Sequence, residues 1–119
     1  MGDLRPHRNL DVWKKAMDFV IQIYRLTATF PKSEEYGLTS QTRRAAISIP
    51  SNLAEGAARK GNKEFMQFLN IAQGSISELD TQLELAYRLE YLHKEGYLAL
   101  MSNLTDISKM LYGLAKTLK

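Results

Sequence analysis

Residues 41–65 read QTRRAAISIPSNLAEGAARKGNKEF. Two adjacent arginines, Arg43 and Arg44, precede a run of small residues, a proline inside a helical pattern and a basic turn. The periodicity predicts a helix over about Glu34 to Arg59, with Leu38, Ala45, Ile49 and Leu53 on its inward face. Gly37 is an early weak spot in it. Pro50 removes a backbone donor and sets its ring against the carbonyl of Ala46, so a kink, or two helices end to end, is expected there. Ala45, Ala46, Ala54, Gly56, Ala57 and Ala58 are small enough to let a neighbouring helix come close. Lys60-Gly61-Asn62 makes the next turn, Gly61 suiting a left-handed position after the helix and Asn62 an N-cap.

On either side the chain reads as amphipathic helix. A first helix over about Asn9 to Thr29, with Asn9 as N-cap, carries two apolar seams. One is Leu10, Trp13, Met17, Val20, Tyr24 and Thr27; the other is Val12, Ala16, Phe19, Ile23, Leu26 and Phe30. Together they cover roughly half the circumference, so burial on two sides is expected. Pro31 ends this helix, and Ser33 is the expected cap of the next. The third helix, about Lys63 to Tyr91, has the seam Phe65, Leu69, Ala72, Ile76, Leu79, Leu83 and Ala86, with a second edge from Phe68, Ile71, Leu85, Leu89 and Leu92. The fourth, about Glu95 to Leu118, repeats through Tyr97, Leu100, Leu104, Ile107, Leu111, Leu114 and Leu118. Short links join all four, which predicts an all-α, antiparallel up-down-up-down bundle over residues 9–119 behind a flexible N-terminal arm, residues 1–8.

Composition narrows the function classes. The chain of 119 residues is 45% hydrophobic and 24% charged, ordinary for one globular domain. It has no cysteine, no membrane-length apolar run and no signal-peptide core in MGDLRPHRNLDVWKK, so a cytoplasmic protein without membrane attachment is expected. The two histidines, His7 and His93, fall in the arm and in a turn, away from any acid or nucleophile that would orient them. No Glu-x-x-His pair and no strand-to-helix phosphate loop exist. Neither an enzyme, nor a cofactor, nor a metal centre is expected. Glu55 and Arg59, and Glu84 and Arg88, have the spacing and order of helix-surface ion pairs.

Two features point to binding. Arg44, Ser48, Ser51, Glu55 and Arg59 fall at 4-3-4-4 spacing with Asn52 beside them, a polar ridge that reads as a solvated face or as a contact surface for a subunit or for phosphates. Residues 43–63 carry Arg43, Arg44, Arg59, Lys60 and Lys63 against Glu55 alone, whereas residues 64–95 carry six acids against Arg88 and Lys94. Opposed charge of this kind steers either packing or contact between subunits. The basic stretch, with Arg5, Arg8, Lys14 and Lys15 near the first helix, also suits a nucleic-acid backbone.

Several segments resemble one family, the small four-helix-bundle proteins encoded in intervening sequences of bacterial 23S rRNA genes. They are Leu10-Asp11-Val12-Trp13-Lys14, Phe30-Pro31, the run from Gln41 to Gly56, Glu64-Phe65, Phe68 to Ser75, and Glu78 to Leu83. The resemblance covers about residues 8–118. It implies an antiparallel four-helix bundle that assembles into a barrel-like homopentamer. Relatives include the accessory variability protein of diversity-generating retroelements, which implies a basic ring binding nucleic acid and a reverse transcriptase. A ring of five would carry about +15, enough for multivalent phosphate contact. The leading expectation is therefore a non-enzymatic homo-oligomer presenting Arg43, Arg44, Arg59, Lys60 and Lys63, with Lys14 and Lys15 secondary, to RNA or DNA. The alternative is a protein-interaction scaffold in which the basic and acidic helices hold subunits together and another surface recruits a partner protein.

Overall fold

The computed structural model describes residues 5–119. It contains four α-helices: α1 (Asp11–Thr27), α2 (Leu38–Ala57), α3 (Asn62–Arg88) and α4 (Lys94–Thr117). Short 3-10 turns at Pro6–Asn9 and Lys32–Glu34 precede the first two. No strand occurs among the described residues. The bundle is an elongated body of 43 × 23 × 23 Å.

Cross-helix pairs fix the directions. Lys15 lies 3.8 Å from Asp106 and the Gln22 side chain accepts from Asn103, so α1 and α4 run antiparallel. Gln73 meets Ser108 and Tyr87 stacks on Tyr97, so α3 and α4 do too. Ser75 donates to Ser48, and Phe65 and Phe68 lie against Gly56, which makes α2 and α3 antiparallel. Arg43, near the start of α2, reaches Thr27 at the end of α1. The most extensive interface is α2 with α3. Small residues explain it: Ala45, Ala46 and Gly56 are buried there, and a Cβ on Gly56 would stand only 2.7 Å from Phe65 Cδ1.

The core follows the expected seams on α2, α3 and α4. Ile49, Leu53, Leu69, Leu79, Leu83, Leu100, Leu104, Ile107 and Leu111 are all buried. On α1 one seam is fully buried and the other only in part, through Thr27 and the half-buried Leu10, Trp13 and Val20. Val12, Ala16, Phe19, Ile23 and Phe30 are buried, whereas Met17 and Tyr24 of the other seam stay 42% and 39% exposed. α1 is thus buried on two sides, against α2 and α4, and leaves only an apolar edge around Met17 and Tyr24 uncovered.

Helix ends depart from expectation in specific ways. Leu10, not Asn9, precedes α1, since residues 6–9 turn as a 3-10 helix that packs against α2. Residues 1–4 of the expected arm lie outside the described residues. Ser33 does not cap α2. The helix starts later, after Gly37, and the Glu34 carboxylate accepts the Leu38 N–H at 3.1 Å instead. Gly61 has φ −111° and leads into α3, so it is not in the left-handed region, and Asn62 is already helical. The left-handed position belongs to Glu90, φ 66°, after α3. Pro50 sits inside α2, which is one continuous element rather than two.

Candidate nucleic-acid interface

The bundle topology brings together residues that are far apart in sequence. The start of α1, the end of α2, the start of α3 and the end of α4 all lie at one end of the molecule. Segments 5–15, 55–64 and 109–119 there hold ten Lys and Arg against Asp11, Glu55 and Glu64, with Asp106, which faces Lys15, a fourth acid at this end. At the opposite end, segments 24–43 and 84–95 hold five of each. Two helix N-termini and two C-termini meet at the basic end, so their dipoles roughly cancel and the side chains set the potential. A chain of net charge +3 therefore concentrates its excess on one pole.

Most lysines of that pole are free. Lys14, Lys60, Lys63, Lys109 and Lys116 are exposed and form no ion pair with any described residue. Lys15 is half-buried and faces Asp106 at 3.8 Å. Arg59 lies over the Phe68 ring at 5.0 Å and 3.9 Å from Glu55 Oε2. That exposed i, i+4 contact is worth at most about 0.5 kcal/mol, so the guanidinium is readily given up to a phosphate. Arg8 lies over Trp13 at 5.4 Å, and His7 packs edge-on to the same ring at 4.9 Å.

The two adjacent arginines are separated from this pole and from each other in role. Arg43 is engaged internally: its Nε donates to Thr27 Oγ1 at 2.9 Å, a terminal nitrogen to the Tyr24 carbonyl at 3.3 Å, and its plane lies 4.4 Å over the Tyr24 ring. Thr27 passes its own proton to the Ile23 carbonyl, which leaves its oxygen open to the arginine. Arg43 ties α1 to α2, which leaves its guanidinium less available to a phosphate than the exposed cations of the pole. Arg44 is exposed and unpaired, but it lies about 20 Å along α2 from the helix end that Arg59 follows.

The polar ridge also divides. Ser51 and Glu55 face solvent. Ser48 is turned toward α3, accepting from Ser75 at 2.8 Å and from the Asn52 amide at 2.9 Å. Asn52 also donates to the Ser48 carbonyl, so it belongs to this inter-helix network rather than to an outer face. What sequence reasoning missed is the share of α4. Lys109 and Lys116 are one heptad apart and so share a face, and the antiparallel topology carries them to the pole. Among the described residues no three His, Cys, Asp or Glu are grouped to hold a metal ion, and no helix is long and apolar enough to cross a membrane.

The comparisons with known proteins fit this bundle. The family model described as 23S rRNA-intervening sequence protein matches residues 8–113. The chain belongs to this family. A solved relative is the crystal structure of a protein with unknown function from the S23 ribosomal protein family of Bacteroides thetaiotaomicron VPI-5482. It is 28% identical, superposes with a TM-score of 0.81, and the match covers 88% of this chain and 95% of that one. No curated protein matches. Membership in the 23S rRNA-intervening sequence protein family thus supplies the bundle, and the family and this relative carry no assigned activity.

Proposed function

We propose that this protein is a non-enzymatic, self-associating cytoplasmic module that binds RNA or DNA through its basic end. The observation that carries the reading is the convergence of ten Lys and Arg against four acids at one pole of the bundle. Lys14, Arg59, Lys60, Lys63 and Lys116 are its phosphate contacts, with Arg5, Arg8, Lys15 and Lys109 adding to the field. Lysines act there as mobile point charges, which neutralises phosphates without reading bases. Self-association is supported by the uncovered apolar edge on α1, where Met17, Ile21 and Tyr24 are 42%, 49% and 39% exposed at 4-3 spacing on one face. Five subunits, the number the resemblance implies, would align five such poles and raise affinity by multivalency.

The experiment pairs the mass from light scattering with binding to single-stranded RNA and DNA across a salt series. The double reversal Lys60→Glu with Lys63→Glu should abolish binding and leave the mass unchanged. Binding untouched by that reversal would overturn the reading. A second reading is a scaffold whose apolar edge on α1 and exposed Ile71, Leu85 and Leu89 on α3 recruit a partner protein. It would be favoured if Ile21→Glu abolished the assembly while no nucleic acid bound at any salt. Reversing Arg43 does not separate the two readings, because that residue holds α1 to α2.

A further inference from the structure

The outer face of α4 carries an aromatic ring set between two lysines. Lys109, Tyr112, Gly113 and Lys116 follow at 3-1-3 spacing, so each lysine stands one turn from both residues between them. All four are exposed. The lysines are about 10 Å apart along the axis, and neither pairs with a described acid. Tyr112 is 61% exposed, and its side chain makes no hydrogen bond or ring contact with any described residue. The other aromatic rings at the basic end are occupied. Trp13 is covered by Arg8 and His7, Phe68 by Arg59, and Phe65 packs against Gly56. Among the described residues, Tyr112 is the aromatic at that end with an open face.

Gly113 is a second, independent feature. It lies inside a helix, where glycine weakens the backbone relative to alanine. Yet a Cβ there would meet no atom within 4 Å, so no neighbour in the chain requires the gap. Gly56 is the contrast, since its missing side chain makes room for Phe65. Bare backbone beside two free lysines lets a group from outside come close to the helix. Next to Tyr112 a groove of about 280 Å³ runs between α3 and α4, lined by the apolar Ile76, Met101 and Leu104. Tyr112 and Lys109 line its end nearest the pole. Its acid, Asp80, lies far from them: the Gln73–Ser108 contact sets it level with Met101, about 16 Å from Tyr112 along α4.

An open ring and bare backbone between two cations match one nucleotide of an unpaired strand with the phosphates on its two sides. A duplex hides the faces of its bases, and an acidic peptide would satisfy the lysines but not the ring. We propose, resting on the nucleic-acid reading of the basic pole, that this face of α4 is a platform for single-stranded nucleic acid. Tyr112 stacks on a base, Gly113 admits its sugar, and Lys109 and Lys116 hold the flanking phosphates. Stacking on a phenol ring tolerates any base, so the strand is selected for being unpaired and not for its sequence.

The test is fluorescence anisotropy of labelled strands of one length, titrated with the full chain. The strands are an oligodeoxyadenosine, its duplex with oligothymidine, and a strand whose central residues lack bases but keep their phosphates. The adenosine strand should bind about tenfold tighter than the abasic one, and tighter than the duplex. Tyr112→Leu should erase that advantage and leave abasic binding and the mass from light scattering unchanged, whereas Tyr112→Phe should keep the advantage. Gly113→Leu should weaken strand binding severalfold while raising the melting temperature, because leucine is the better helix former and has open space there. The platform is overturned if the abasic strand or the duplex binds as tightly as the adenosine strand, or if Tyr112→Leu keeps the advantage. It is overturned equally if Gly113→Leu binds as the wild type does, or if Tyr112→Leu lowers the mass because a second copy covers the ring. Should Tyr112→Leu change nothing while Lys60→Glu with Lys63→Glu abolishes all binding, the pole stands without the platform. A wild-type protein that binds none of the strands removes both.

Discussion

Gly56 carries no side chain because two phenylalanines occupy the space one would need. A Cβ there would lie 2.7 Å from Phe65 Cδ1 and 2.9 Å from Phe68 Cβ. Gly56→Ala should therefore cost about 1–3 kcal/mol by overpacking, despite alanine's better helix propensity, as denaturant melts would register. Glu90 is the converse case. It holds φ 66° at the end of α3, with the Tyr91 N–H bonded to the Ala86 carbonyl at 2.8 Å and its own N–H to Tyr87 at 3.0 Å, the position usually given to glycine. Glu90→Gly should raise stability by roughly 1 kcal/mol, seen as a higher melting temperature; an unchanged or lower one would mean the residue carries no strain. Next to it, the Tyr91 hydroxyl donates to Glu34 Oε2 at 3.0 Å. That bond, then desolvation and the Glu34 charge, raises the Tyr91 pKa above its ordinary 10.0. A group whose pKa is raised on folding contributes its stability fully below the unfolded value and loses it as pH climbs through the folded one. Stability should thus fall as pH rises above 10.0, and Tyr91→Phe should flatten that alkaline decline.

At the scale of elements, the helices were legible, with three starts within two residues of expectation and only that of α2 misplaced. Seam residues such as Leu69, Leu79 and Leu83 are buried because a 3.6-residue period leaves little choice of inward face. The Glu55–Arg59 and Glu84–Arg88 pairs were readable from spacing alone and both form. The start of α2 was not readable, because Ser33 looks like a cap while the Glu34 carboxylate, also bonded to Tyr91 fifty-seven residues on, caps it by tertiary context. The tie that Arg43 makes between α1 and α2 was unreadable for the same reason. Its partners, Thr27 and Tyr24, lie on another helix, and an exposed-looking arginine in a basic run carries no local sign of them. Arg43→Ala should destabilise the bundle by about 1–3 kcal/mol, leaving Thr27 Oγ1 without its donor, and should not alter the salt dependence of nucleic-acid binding. Arg43→Lys should recover little, since an ammonium cannot bond and stack at once.

For the whole molecule, the informative quantity is where the charge lies rather than how much there is. The +3 total is modest, and the sequence run 43–63 showed only part of its focus. Antiparallel packing adds the ends of α1 and α4 to the turn between α2 and α3, while it sends Arg43 and Arg44 to the other half. The pole is thus a product of topology, and only the bundle, once assembled, displays it. The Ser75–Ser48 contact was less legible still, because it exists only once the two helices are in register. The central claim is that this pole neutralises phosphates, and the salt dependence of binding to a single-stranded RNA tests it most directly. With about four phosphates neutralised per chain, the logarithm of affinity should fall with the logarithm of salt concentration at a slope near −3, and by about 1–1.5 less steeply when Lys60 and Lys63 are changed to alanine. An affinity flat across the salt series, or a slope unaffected by those two lysines, would contradict it.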